Sequence, residues 1–175
     1  MDVAVIKTKD QVIAFSLYPI GAVGWGKGEK EAISSLNDNI YDYCNWLNKP
    51  LPKDASGVIK ERYVGEIKDV TFKSDDKSLI KKYSEIAVQT AFSFKSLTDG
   101  FCMDEKEKEK VSLLFERLKI ADGIIGYSTD VCDSQSLPKI REFIYETYKT
   151  AKEIFILAKK RKIGIFNTFY FDVSY

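Results

Sequence analysis

Histidine is missing from the chain altogether. That absence removes Ser-His-Asp and Cys-His catalysis, which need an imidazole to carry the proton. It also removes the commonest ligand of transition metals, while leaving room for a carboxylate site of the Mg²⁺ or Ca²⁺ kind. Cysteine is scarce: Cys44, Cys102 and Cys132 are far apart and odd in number, with no CxxC or zinc-ligand spacing. This pattern predicts reduced thiols in a cytoplasmic protein. None of the three lies in a Lys/Arg-rich stretch that would favour the thiolate.

Long apolar runs are also lacking. No stretch approaches the 18 or so apolar residues that a membrane-crossing helix requires, so no membrane span is expected. The opening Met1-Asp2-Val3-Ala4 carries no basic cluster of the signal-peptide kind. Excess charge is absent too: 27 basic residues stand against 26 acidic ones, a net charge of +1. Sequence-independent nucleic-acid binding depends on a strong positive field, and none is expected here. The partners anticipated are therefore a protein or a second copy of the chain, with no membrane, no nucleic acid and no cofactor.

What is present is a clear change of period along the chain. Val3 to Lys7 alternates, Lys9-Asp10-Gln11 reads as a turn, and Val12 to Leu17 reads as a second strand, together a β-hairpin. Pro19 breaks the run, and Ile20 to Gly26 reads as a third, short strand hemmed by glycines. From Glu29 to Asn48 apolar residues recur every three or four positions: Ala32, Ile33, Leu36, Ile40, Tyr43, Cys44, Leu47. That is one face of a helix, which Pro50 and Pro52 stop. Val58 to Phe72 reads as one or two strands with Gly65 as a bulge or bend, and Ser74-Asp75-Asp76 as a polar hinge.

From Leu79 to about Lys162 the period is helical. The first stripe is Leu79, Tyr83, Ile86, Thr90, Phe94, Leu97 and Phe101; the second runs from Val111 through Leu118 to Ile125. The third is Ile140, Ile144, Tyr148, Ala151, Phe155 and Ala158, with Ser136 as cap and Pro138 in the first turn. The aromatic segment Ile165 to Tyr175 is expected to dock back on the protein or on a second copy, because Phe166, Phe169, Tyr170 and Phe171 would otherwise expose a large apolar patch. The fold class is therefore α+β: a small antiparallel sheet with one helix, followed by a mostly helical bundle.

Candidate chemistry is sparse. Gly21 to Gly28 precedes a helix, as phosphate loops do, but matches neither a Walker A nor a dinucleotide fingerprint; a tight strand edge is the expected use. Lys159-Lys160-Arg161-Lys162 suits a helix C-terminus and offers a patch for phosphate or an acidic partner. Asp130, Asp133 and Ser134 fit no EF-hand spacing, and Glu142 with Glu146 reads as a solvated helix face.

Tyr18-Pro19-Ile20-Gly21, Gly26 and the helix start Glu31-Ala32 resemble the HicB-like domain of toxin–antitoxin proteins over about residues 2–65. Arg117-Leu118-Lys119-Ile120-Ala121-Asp122 resembles a helix of DinB-like bundles, with Lys119 where that family places a metal-binding histidine. The resemblances imply a HicB-like domain over 1–73 and a DinB-like bundle over 74–175. They also imply a ligand site near Lys119, Asp122 and Tyr127 that holds no metal and no catalytic residue. The function expected is a non-catalytic binding or interaction protein. The alternatives are a metal-independent DinB-like transferase and an antitoxin that binds a small toxin.

Overall fold

The computed structural model describes residues 1–99 and 136–160, with positions 105, 106, 109 and 112 also placed in helical conformation. Alternation in the first 26 residues produces three strands, β1 (Asp2–Lys7), β2 (Val12–Tyr18) and β3 (Ile20–Gly26). The 3.6-residue period that follows is α1 (Glu29–Trp46). A single strand, β4 (Val58–Val64), comes next, and then a short 3₁₀ turn, Ile67–Asp69. Two long helices complete the described chain, α2 (Ser78–Asp99) and α3 (Ser136–Lys160).

The sheet order is β3-β2-β1-β4. β1 to β3 pair antiparallel, as the sequence suggests, but β4 lies parallel to β1, so the sheet is mixed rather than antiparallel. Parallel pairing needs a crossover, and α1 supplies it by carrying the chain back to the end from which β1 started. The stretch Val58–Phe72 holds one strand, not two: Gly65, at φ +140°, bends the chain out of β4 into the 3₁₀ turn.

Successive side chains of β1 point to opposite faces of the sheet, and Val3, Ala4, Val5 and Ile6 are all buried. The reason is layering. α1 covers one face of the sheet, where it lies so close to β3 that a Cβ on Gly24 would fall 2.8 Å from the Cα of Leu36. A Cβ on Gly26 would fall 2.9 Å from the Ala32 nitrogen. These two glycines therefore serve helix–strand contact. The opposite face takes Phe15, Phe72 and the helices, with Trp25 of β3 meeting Tyr145 and Tyr148 of α3 edge-on at 5.7 and 5.3 Å. One apolar cluster runs from the sheet through α1 to Phe94, Leu97, Tyr148 and Ala151; a second joins Ile80, Tyr83 and Ile86 of α2 to Leu137, Ile140 and Ile144 of α3. The predicted stripes are buried from Tyr83 to Leu97 in α2 and from Ile140 to Ala151 in α3, with Ile80 buried more fully than Leu79. Leu118, Phe101 and the segment Ile165 to Tyr175 lie outside the described residues.

Within the polar stretch Ser74-Asp75-Asp76, Ser74 and Asp76 are exposed, but the middle side chain is not. The Asp75 side chain is 1% exposed and accepts a forked pair of bonds from Arg141, itself 0% exposed: Nη1 to Oδ1 at 2.7 Å and Nη2 to Oδ2 at 2.9 Å. Nη2 also donates to the Val70 carbonyl at 2.9 Å, and the guanidinium lies 3.8 Å over the Phe72 ring. Tyr63 of β4 also stacks on that ring, with centroids 5.2 Å apart. Tyr83 is enclosed beside this pair. Burial pushes its phenol up to about 12, against the opposing pull of Arg141.

Two substitutions test the packing. Phe94→Ala, at a position with no exposure, is expected to cost about 3–5 kcal/mol in a urea melt. Gly24→Ala should cost about 1–3 kcal/mol or more, because helix backbone rather than a movable side chain stands in the way. A third test uses Tyr83. The unfolded chain releases this proton near pH 10 or so, while the folded chain keeps it to about 12. Stability from this group is therefore complete below about pH 10 and falls as pH rises through the folded value, by roughly 2–3 kcal/mol. Urea melts stepped from neutral to alkaline pH should show this loss, and Tyr83→Phe should flatten it.

Candidate functional site

α1 ends at Leu47, and Asn48 turns the chain with φ 51°, a left-handed conformation that asparagine tolerates better than most residues. The Asn48 N–H donates to the Asn45 carbonyl at 3.1 Å and the Lys49 N–H to that of Cys44 at 2.8 Å, closing the helix end. Pro50 and Pro52 then keep the chain from resuming a helix. The strand that leads away is set by a local turn: the Ser56 N–H donates to Asp54 Oδ1 at 2.8 Å, and the Ser56 hydroxyl donates to the same oxygen. These bonds from Ser56, its hydroxyl first, hold the Asp54 carboxyl below its ordinary range. The Met1 ammonium donates to the Ser56 carbonyl at 3.0 Å, which fixes the loop against the start of β1.

This loop faces the first turns of α2 across a cleft of about 870 Å³. Ile20, Leu47 and Ile86 provide apolar floor, and Tyr18, Pro19 and Leu51 the mouth. The Tyr18 ring is 78% exposed there and Leu51 is 52% exposed. Lys49 and Lys53 stand on the loop side, while Lys82, Glu85 and Gln89 line the α2 side one to two turns apart. The walls are tied together by side chains. Trp46 Nε1 donates to Ser93 Oγ at 3.1 Å, joining α1 to α2, and Tyr43 Oη donates to the Ile20 carbonyl at 2.7 Å, joining α1 to β3. Burial raises the Tyr43 phenol well above its ordinary value, so this hydroxyl stays a donor.

The cleft sets polar and charged groups beside an apolar floor. Among the described residues its polar groups are amines, carboxylates, amides, the Tyr18 phenol and the Trp46 indole. Cys44 lies outside the lining on the buried face of α1, and burial raises its thiol, away from the reactive thiolate form. Lys152 on α3 also lies elsewhere. Burial lowers its ammonium, which sits 5.3 Å from the Trp25 ring as a cation–π partner. Among the described residues no three His, Cys, Asp or Glu side chains group as metal ligands would, and no helix is long and apolar enough to cross a membrane.

Lys119, Asp122 and Tyr127, where the sequence places a ligand site, lie outside the described residues, as do Asp130, Asp133, Cys102 and Cys132. Lys159 and Lys160 are exposed in the last turn of α3, and Arg161 and Lys162 are again outside. Glu142 and Glu146 are half-buried on α3 rather than on a fully solvated face. The cleft itself is missed by sequence reasoning, which takes the prolines at 50 and 52 only as a helix stop. A usable signal is there in Lys49-Pro50-Leu51-Pro52-Lys53, where a stiff segment holds an apolar residue between two charges. No family model, curated protein or solved structure matches the chain.

Proposed function

We propose that this protein is a non-catalytic binding protein and that its ligand enters the cleft between the end of α1 and the start of α2. The observation that carries this reading is the cleft's combination of size, composition and fixed walls. Small-molecule sites are concavities of about 300–1,000 Å³, mostly apolar, with a few polar groups at defined places. A volume of about 870 Å³ lies in that range. The walls are held by the Trp46–Ser93 and Tyr43–Ile20 bonds before any ligand arrives, so little ordering entropy remains to be lost on binding. The complete absence of histidine supports a role in recognition rather than turnover. A cytoplasmic location suits the unpaired, buried thiol of Cys44.

Leu51→Asp tests the reading without touching the core, because Leu51 is half in solvent already. Apolar fragments screened by NMR should shift the indole N–H resonance of Trp46, and the variant should weaken those shifts about tenfold or more while changing stability by less than about 0.5 kcal/mol. Hits that leave Trp46 unmoved and bind the variant equally well would place the ligand elsewhere and end the proposal.

A further inference from the structure

Resting on the cleft as the binding site, we infer that its ligand is an amphipathic organic anion, an apolar body carrying a single anionic head. The cleft sorts its lining by polarity. Apolar floor comes from Ile20, Leu47 and Ile86, and charge stands on the two facing walls. Ammonium groups come from both: Lys49 and Lys53 from the loop, Lys82 from α2. Two carboxylates oppose these three lysines, Asp54 and Glu85, and the Met1 ammonium stands beside the same loop. Asp54 is already engaged, since one of its oxygens takes both the backbone and the hydroxyl bond of Ser56. The positive charge left over in the cleft is what an anionic head complements.

The form of that charge narrows the class. Lysine offers a compact point charge on a flexible stem, whereas planar, two-pronged capture of a carboxylate or phosphate calls for arginine, which is absent from the lining among the described residues. Recognition of the head is therefore by charge, and affinity comes from the body. The exposed face of Tyr18 and the adjoining Pro19 at the mouth give an apolar body a surface to lie along. The lysine stems add apolar cover of their own beneath their charged ends.

Titration of the full chain with decanoate and with decanol, followed by the Trp46 indole N–H resonance, separates this inference from the reading beneath it. Decanoate is expected to bind at least about tenfold more tightly than decanol at low salt, with the difference shrinking as salt is raised. A Lys49→Gln/Lys53→Gln/Lys82→Gln variant, which keeps most of each stem, should bind decanol as before and lose the preference for decanoate. If decanol binds as tightly as decanoate, or the triple variant keeps the preference, the anionic head is wrong while the cleft remains the site. If neither compound moves Trp46, the cleft reading fails with it.

Discussion

The bidentate pair between Arg141 and Asp75 is the contact on which the arrangement of the helices depends. Both side chains are buried, and the pair joins the loop between β4 and α2 to the first half of α3. Desolvating two charges costs several kcal/mol per ion, so the pair persists only because its geometry is good and further partners are at hand. The Val70 carbonyl takes one guanidinium N–H, and the faces of Phe72 and Tyr83 take the cation. Loss of either partner strands a buried charge, an event that costs proteins about 3–5 kcal/mol. Such a contact is exacting about position, which makes it a locating pin rather than a source of net stability.

What it locates includes the cleft. One residue beyond Asp75, the Asp76 carboxylate accepts from the Ser78 N–H at 2.7 Å, and the Asp76 carbonyl accepts from the Leu79 N–H at 3.1 Å. α2 begins on those bonds, and within its first three turns it delivers Lys82, Glu85, Ile86 and Gln89 to the cleft wall. The opposite wall depends on α1, which is seated on β3 through Gly24 and bound at its end by Tyr43 and Trp46. The two sides of the cleft are also tied to each other directly, through the Trp46–Ser93 bond between α1 and α2.

Local pattern made much of this legible. β1 to β3, α1 and the apolar stripes of α2 and α3 follow from periods of two and of 3.6, because each element has one face to bury. The parallel β4, the double burial of β1 and the Arg141–Asp75 pair depend on partners distant in sequence, on which periodicity is silent. Arg141 still left a trace: it stands among Leu137, Ile140, Ile144 and Tyr145 on the apolar side of its helix, where an unpaired charge would be costly. Asp75 left none, being one of two aspartates in a stretch whose composition is that of a turn. The cleft was hidden for a further reason. Its lining comes from a strand end, a proline-containing loop and a helix face, each ordinary alone.

The parallel register of β4 has a bearing on how the chain comes together. Asp2 pairs with Val58 and Lys7 with Val64, so the central strand waits for the whole of α1 and its loop before its second neighbour exists. Such pairings raise contact order, and non-local contacts form late because the intervening loop must close first. During synthesis the hairpin of β1 and β2 leaves the ribosome with one edge of β1 open, and its run of Val3, Ala4, Val5 and Ile6 has the composition of an adhesive strand. Lys60, Glu61 and Arg62 sit in the strand that eventually covers that edge. The finished sheet thus carries its charges on the outermost strand and keeps the sticky one inside, a protection the nascent chain acquires only once β4 has been made.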